Sequence, residues 1–187
     1  MKSLDMRDIA IIDAFPVYAY RKTVLNVGCG EARIDFHLAR RRYRVYGTDI
    51  KWHEAWKQGL NRLSFHISDI FDLSTFPVKR APVVICSEVL EHLPRYKEAL
   101  KNLLALTAIR LINMTVPHMR SFGGKNARHC NFWGDERVHE FIDLCKPNSV
   151  AISRIRTKPD DVRRHQWCYL IIVDKRQDIC FPGAERI

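Results

Sequence analysis

Apolar positions recur along the chain with two different periods, and segments of the two kinds alternate. Short runs rich in valine, isoleucine and leucine are typical of buried strands, whereas apolar residues spaced three or four positions apart are typical of helices. The predicted strands span 23–27, 44–47, 63–68, 82–87 and 110–116, and the predicted helices span 4–15, 31–42, 53–60 and 88–106. The last helix is interrupted near Pro94. This alternation predicts a parallel sheet with helices on both faces.

The final third of the chain departs from this alternation. A helix predicted at 135–145 is followed by strands at 150–156 and 167–173, with no helix between the two strands. The ten residues 157–166 are too few for the helical crossover that parallel neighbours require. The last pair is therefore predicted to be antiparallel, which gives an α/β fold with one antiparallel strand at its C-terminal end.

The composition is that of one folded domain. The chain has 187 residues, 47% hydrophobic and 28% charged, which is enough to bury a core and leaves little room for disorder. No apolar run reaches the roughly 18 residues of a membrane span, and three early aspartates, Asp5, Asp8 and Asp13, interrupt any signal-peptide pattern. The six cysteines include no C-x-x-C pair, so free thiols are expected. We expect a cytoplasmic protein with no membrane partner.

Lysine and arginine outnumber aspartate and glutamate by 31 to 21, a formal net charge of +10 that favours an anionic partner. The densest basic run, 40–44, joins a predicted helix to a predicted strand, where arginines complement the helix dipole. We interpret it as a solvated helix end. The basic residues expected at the functional rim are Lys51, Lys57, Arg120, Lys125, Arg128, Arg163 and Arg164. With nearby aromatic residues they are suited to RNA or to an anionic small molecule.

A glycine turn follows the first predicted strand. Gly28 and Gly30 flank Cys29, and such a turn admits a ligand against the main chain at the start of a helix. Asp49 ends the second strand 19 residues after Gly30, where an acid accepts hydrogen bonds from the hydroxyls of a bound ribose.

The third strand also ends in an acid. Asp69 is positioned to accept a hydrogen bond from an adenine amine while Ile70 covers the ring. The carboxyl ends of neighbouring parallel strands open into one crevice, so these elements predict one adenosine-type ligand. Ile50, after Asp49, and Ser87, at the end of the fourth strand, are assigned to the same site.

The motifs VLNVGCGEA, YGTDI, SDIFDL and VVICSEVLEHLP occur in this order. Their residues and spacing resemble those of class I S-adenosylmethionine-dependent methyltransferases, over about residues 23–174. The resemblance implies a Rossmann-like doubly wound sheet of about seven strands, mostly parallel with an antiparallel last strand. It implies a single methyltransferase domain over 1–187, with an N-terminal helix in 1–20 and a tail from 175. A nicotinamide-dinucleotide domain is the rival, but its third glycine would fall at Arg33.

Three positions depart from that family's usual pattern. An acid is usual where Asn26 stands, a glycine where Ala32 stands, and often an aspartate where Pro82 stands. We interpret them as variation within a cofactor site. The site residues implied by the resemblance bind S-adenosylmethionine, with Gly28, Cys29 and Gly30 against its amino-acid and ribose portions.

Glu88, Glu91 and His92 follow the fourth strand at spacings i, i+3 and i+4, which predicts one face of a helical turn. Two carboxylates and an imidazole are suited to a divalent metal, with His129 as a fourth ligand. This E-x-x-E-H element resembles that of ubiquinone-biosynthesis O-methyltransferases and small-RNA 2′-O-methyltransferases, where such residues bind magnesium. Manganese suits the same ligands.

Two alternatives to a metal stay open for this element. His92 or His129 is suited to act without metal as a general base or substrate contact. The glutamates are also favourable at a helix N-terminus whatever else they do. The expected reaction is methyl transfer to a hydroxyl of a small molecule; the alternatives are the ribose 2′-oxygen of RNA, or cofactor binding without catalysis. Acceptor selection is assigned to the N-terminal helix and the loops 117–134 and 157–166.

Overall fold

The computed structural model describes residues 4–16, 22–115, 130–131, 134–156 and 167–175. The strands within these ranges are β1 (Thr23–Val27), β2 (Arg44–Asp49), β3 (Leu63–Ile67), β4 (Ala81–Ser87), β5 (Thr107–Thr115), β6 (Ser149–Arg156) and β7 (Trp167–Asp174). The α-helices are α1 (Met6–Asp13), α2 (Arg33–Arg40), α3 (Tyr96–Leu106) and α4 (Asp135–Cys145). Short 3₁₀ turns span Glu54–Gln58, Leu73–Thr75 and Leu90–His92.

All seven strands form one sheet in the order β3-β2-β1-β4-β5-β7-β6. The pairs from β3 through β5 are parallel, and β7 is antiparallel to both β5 and β6. The predicted α/β fold, mostly parallel with an antiparallel last strand, is confirmed. The chain order reverses at β1 and β4, so the carboxyl ends of these strands flank the crevice where open sheets bind ligands.

Helices cover both faces of the sheet, as the alternation predicts. On one face, Leu25 of β1 packs with Leu100 of α3 and Phe141 of α4 in a fully buried cluster. On the other face, Ile11 of α1 and Leu38 of α2 pack in a second buried cluster. Successive β1 side chains point to opposite clusters, so β1 is buried on both sides and fixes the turn that follows it.

The predicted helix over 88–106 is wrong in its first half. Glu88 has φ +56°, in the left-handed region, and Leu90–His92 forms only a 3₁₀ turn before α3 begins at Tyr96. A left-handed residue cannot belong to a right-handed helix. Glu88 therefore does not share a helical face with Glu91 and His92, contrary to the expectation from their spacing. The helix predicted at 53–60 is likewise a 3₁₀ turn.

The basic run at the end of α2 is exposed, as expected for a solvated helix end. Arg40, Arg41, Arg42 and Arg44 all face solvent, at the edge where β2 begins and opposite the crevice. Within the residues that the structure describes, no helix is long and apolar enough to cross a membrane.

Candidate cofactor site

The glycine turn between β1 and α2 is fastened to the end of β2. The backbone N–H groups of Gly28 and Cys29 both donate to the Thr48 carbonyl, at 2.8 and 2.9 Å. Gly28 and Gly30 have φ of +73° and +51°, a conformation that glycine adopts without the steric cost of a side chain. The main chain at this turn is thus fixed relative to both strands.

The two glycines serve different purposes. A Cβ atom added to Gly28 would lie 2.2 Å from Cγ2 of Val89, so this glycine permits close packing against the segment after β4. A Cβ atom added to Gly30 would meet no atom within 4 Å. Gly30 therefore borders open space, and the absence of a side chain there leaves room for a ligand.

Asp49 supports the turn from the end of β2. Its Oδ2 accepts a hydrogen bond from the Gly30 N–H at 3.0 Å and lies 3.4 Å from Nε2 of His53. The indole N–H of Trp56 donates to the Gly30 carbonyl at 2.9 Å, while its buried ring stacks on Phe65 with centroids 4.8 Å apart. Trp56 is not recognisable as a site residue from the sequence, because an aromatic residue in a short helical segment is typical of an ordinary core position.

A cavity of about 460 Å³ opens beside this turn, within the size range of small-molecule sites. Its lining residues are Asp8, Asn26, Gly28, Cys29, Gly30, Glu31, Ala32, Arg33, Ile34, Ser87 and Glu88. The structure thus brings Gly28, Cys29, Gly30 and Ser87 together at one cavity, with Glu88 on its wall. The lining carries three carboxylates and one guanidinium, so it is acidic although the whole chain is basic.

The residues predicted for an adenine ring lie after β2 and β3, in two different environments. Asp69 Oδ1 accepts a hydrogen bond from the Phe71 N–H at 2.9 Å, in a turn after β3. Ile70 is 7% exposed and packs into the core, whereas Ile50 is 64% exposed. Of the two isoleucines, Ile50 is the one with a free apolar surface to cover a ring.

Asn26 and Asp35 form a buried polar pair beneath the glycine turn. The Asn26 side-chain N–H donates to Asp35 Oδ2 at 2.7 Å, and Asp35, in the first turn of α2, is fully buried. Gly47 faces the same pair from β2, since its Cβ would lie 2.8 Å from Asp35 Oδ1 and 2.7 Å from the Phe65 ring. Asn26 stands out in the sequence, but Asp35 does not, because an acid near a helix start is usually exposed.

Burial raises the pKa of the Asp35 carboxyl to about 7, although the hydrogen bond from Asn26 partly opposes this. A raised carboxyl pKa stabilises the folded state below the unfolded pKa near 3.8, and this stabilisation is lost as the pH rises towards 7. We expect Asp35→Asn, which cannot titrate, to gain stability relative to the wild type by about 1 kcal/mol per unit between pH 4 and 7. Urea unfolding of both proteins at pH 5 and 7 measures this, and an equal stability difference at the two pH values would contradict it.

Helix α1 is held over the cavity by ionic contacts. Arg7 contacts the Glu88 carboxylate, and Arg33 on α2 lies 3.2 Å from Asp5 and 3.5 Å from Asp8. Burial alone would raise the pKa of Asp5, but the Arg7 hydrogen bond and neighbouring charges lower it to about 2. The N-terminal helix therefore contributes both a wall residue, Asp8, and the cation that contacts Glu88.

The predicted metal ligands are not brought together in the part of the chain that the structure describes. Glu88 faces Arg7, and Glu91 is 1% exposed, its carbonyl accepting the N–H groups of Cys130 and Asn131 at 2.8 and 3.0 Å. Among the described residues, no three His, Cys, Asp or Glu side chains cluster closely enough to hold a metal ion. His129 lies outside the described residues.

Comparison with known proteins identifies the part of the chain that carries these features. Residues 25–108, from β1 into β5, match the family model described as a methyltransferase domain. This stretch is therefore similar to methyltransferase domains. Ubiquinone biosynthesis O-methyltransferase from Coxiella burnetii is 33% identical to the chain over 92 residues. That match covers 46% of this chain and 38% of the relative's length, so the chain corresponds to well under half of the relative.

Solved methyltransferases share the fold of this chain. The 1,6-didemethyltoxoflavin-N1-methyltransferase of Burkholderia thailandensis, with bound S-adenosylhomocysteine, is 14% identical at a TM-score of 0.64, over 83% of this chain and 71% of that one. The magnesium protoporphyrin IX methyltransferase of Synechocystis PCC 6803, also with bound S-adenosylhomocysteine, is 19% identical at a TM-score of 0.67, over 90% and 83%. The predicted Rossmann-like methyltransferase fold is confirmed.

Proposed function

We propose that the chain is an S-adenosylmethionine-dependent methyltransferase whose acceptor is a hydroxyl group of a small molecule. The observation that carries this proposal is the charge of the cavity at the glycine turn. Dinucleotide and sulfonium ligands both suit a glycine turn followed by an acid, but they differ in charge. A dinucleotide puts an anionic diphosphate at the turn, whereas S-adenosylmethionine puts a sulfonium, an ammonium and one carboxylate there, which together are cationic.

The cavity favours the cationic ligand. Asp8, Glu31 and Glu88 line it together with Arg33, and Arg7 contacts Glu88 from α1, so three carboxylates face two guanidinium groups. Carboxylates facing a partly enclosed site attract a cation and repel a diphosphate, and the lower dielectric of such a site strengthens both effects. The match of residues 25–108 to the methyltransferase domain family supports the same choice.

Each predicted cofactor residue has a role in this proposal. The main chain at Gly28, Cys29 and Gly30 contacts the amino-acid and ribose portions, and Asp49 accepts hydrogen bonds from the ribose hydroxyls. The carboxylate keeps a free acceptor oxygen for this, because the Gly30 N–H uses only Oδ2.

The adenine ring is assigned to the turn after β3. Asp69 accepts a hydrogen bond from its amine, and the exposed Ile50, rather than the buried Ile70, is the apolar cover of the ring. Ser87 stands at the end of β4 on the cavity wall. These assignments leave the cavity mouth, beside Glu88 and α1, for the acceptor.

S-adenosylmethionine supplies a methyl group that is displaced from sulfur in line with the attacking oxygen. The chain's contribution is to align the acceptor and to remove its proton. His92 and His129 are the proposed bases or acceptor contacts. His92 closes the 3₁₀ turn after Glu88, close in the chain to the cavity wall.

The residues that the structure describes do not fit a divalent metal at Glu88, Glu91 and His92. Glu88 is engaged by a cation, Arg7, and Glu91 is buried in the turn. The proposed reaction therefore includes no metal-dependent step. Three expectations stay predictions: the four-ligand site with His129, the cytoplasmic location and the single-domain organisation.

A hydroxyl acceptor is proposed because the curated relative is an O-methyltransferase. RNA is the second candidate, favoured by a surface beside Asp49 where Lys51 and Trp52 are both exposed, Trp52 by 52%. A lysine beside an exposed indole is suited to a phosphate and a stacked base. Binding of cofactor without transfer to either acceptor class would identify a non-catalytic relative.

Calorimetric titration tests the cofactor assignment. We expect the wild-type protein to bind S-adenosylhomocysteine, the demethylated product, and not to bind NAD at the same concentrations. The acidic cavity is the physical reason for this selectivity. Binding of NAD in preference, or of neither ligand, would overturn the proposed function.

A further inference from the structure

The pair formed by Asn26 and Asp35 determines which end of the Asn26 amide faces the cavity. Asn26 lines the cavity although it is only 4% exposed, and Asp35 lies behind it with no exposure. An asparagine amide has a donor end and an acceptor end, which coordinates at ordinary resolution do not distinguish without the hydrogen-bond network. The identity of the neighbour therefore decides its orientation.

An ionised carboxylate only accepts hydrogen bonds. The Asn26 NH₂ group must then face Asp35 Oδ2, at the observed 2.7 Å, and the amide oxygen must point away from it. The main chain of Asn26 is fixed separately, since its carbonyl accepts the Thr48 hydroxyl at 3.1 Å and β1 is paired on both sides. Rotation of the amide is thus the freedom that remains, and Asp35 removes it.

Gly47 and the Phe65 ring leave room for the Asp35 carboxylate beside Asn26. Gly47, the register partner of Asn26 on β2, has no side chain, and the space that its Cβ would fill is occupied by Asp35 Oδ1 and the Phe65 ring. Asp35 Oδ1 has no hydrogen-bond partner among the described residues, so the Asn26 amide is the side-chain contact that orients this carboxylate. A buried acid with one such contact is costly to retain unless it does something for the site.

We propose that Asp35 is a positioning residue, which holds the Asn26 amide oxygen towards the cavity to accept a hydrogen bond from the ammonium group of the ligand's amino-acid end. This inference rests on the proposed function, because it takes S-adenosylmethionine as the ligand. It assigns the recognition of one ligand group to a residue that does not touch the ligand.

Two ligands that differ only in the amino-acid end separate positioning from general damage. S-adenosylhomocysteine has the ammonium group, whereas 5′-methylthioadenosine keeps the adenosine and lacks the amino-acid end. At pH 8.5, where Asp35 is ionised, we expect Asp35→Ala, which leaves the Asn26 NH₂ group without its side-chain acceptor, to weaken S-adenosylhomocysteine binding about tenfold, the loss of one hydrogen bond to a charged group. Binding of 5′-methylthioadenosine should change by less than about twofold.

Exchanging the two side chains provides the rescue. In Asn26→Asp with Asp35→Asn, the carboxylate at 26 accepts both from the amide at 35 and from the ammonium group. We expect this double variant to regain S-adenosylhomocysteine affinity to within about threefold of the wild type. Asn26→Ala removes the amide itself, so its effect does not depend on the residue at 35. It should lower the affinity for S-adenosylhomocysteine by the same tenfold and leave the affinity for 5′-methylthioadenosine unchanged.

The outcomes are distinct. Equal weakening of both ligands by Asp35→Ala, no weakening of either, no rescue by the exchange, or full S-adenosylhomocysteine affinity in Asn26→Ala would each overturn the positioning role. If the wild type binds neither ligand, the proposed function fails and this inference with it. Wild-type binding of both ligands with any of the four contrary results overturns this inference alone.

Discussion

Replacing Asp49 by alanine is expected to weaken S-adenosylhomocysteine binding by about 10- to 100-fold, the range for losing hydrogen bonds to a charged acceptor. Two effects act in the same direction. The ribose hydroxyls lose their acceptor, and the Gly30 N–H loses the bond at 3.0 Å that holds the turn. Isothermal titration calorimetry of the wild type and the variant measures the change directly.

Two further variants separate these effects from a change in charge. Glu54→Ala removes an exposed carboxylate of the neighbouring turn, which pairs with Lys57, and should leave affinity unchanged. Asp49→Asn keeps an acceptor oxygen and should lose less affinity than Asp49→Ala. An Asp49→Ala protein that binds within about threefold of the wild type would refute the ribose assignment.

Replacing Gly28 by alanine is expected to lower the free energy of unfolding by about 2–4 kcal/mol. Two causes contribute: the cost of a left-handed backbone at a residue with a side chain, and the overpacking caused by the added methyl group. The added methyl group would lie 2.2 Å from Cγ2 of Val89, far inside contact distance. Gly30→Ala is the matched control, since its φ of +51° carries the same strain while its Cβ meets open space. We expect Gly30→Ala to cost only about 1 kcal/mol. Urea denaturation of both variants measures the difference.

Val89→Ala provides the rescue of the Gly28 variant. Removing the side chain that the new methyl group meets should restore part of the lost stability, so the two substitutions together should cost less than their sum. Equal destabilisation by Gly28→Ala and Gly30→Ala would show that backbone strain, and not the contact with Val89, is what requires glycine at position 28.

The centre of the sheet was predictable because β1 and β4 are buried on both faces. The β1 bounds at Thr23–Val27 and those of α4 at Asp135–Cys145 match the prediction, and the short connection between β6 and β7 indicated their antiparallel pairing. Glu88 was not predictable in the same way. Its sequence neighbours favour a helix, but it is left-handed and paired with Arg7, which lies 81 positions away.

The candidate cofactor site likewise contains residues that local sequence predicts and residues that depend on contacts between distant elements. Gly28, Gly30 and Asp49 were predicted from the sequence because each stands at the end of a strand, where local geometry favours that residue type. Asp35 and Trp56 were not, since both act through contacts between elements, with Asn26 on β1 and with the carbonyl of Gly30. One sequence does not reveal such contacts, because hydrophobic periodicity reports only which face of an element is buried.

The missing side chain at Gly47 constrains how related sequences can diverge. Because Asp35 and Phe65 both occupy the space beside it, a residue larger than glycine can enter position 47 only if both make room. Substitutions at 35, 47 and 65 should therefore co-vary among homologues. A lineage with smaller residues at both 35 and 65 is free to accept alanine or serine at 47, and neither the acid nor the large ring could then return by a single substitution.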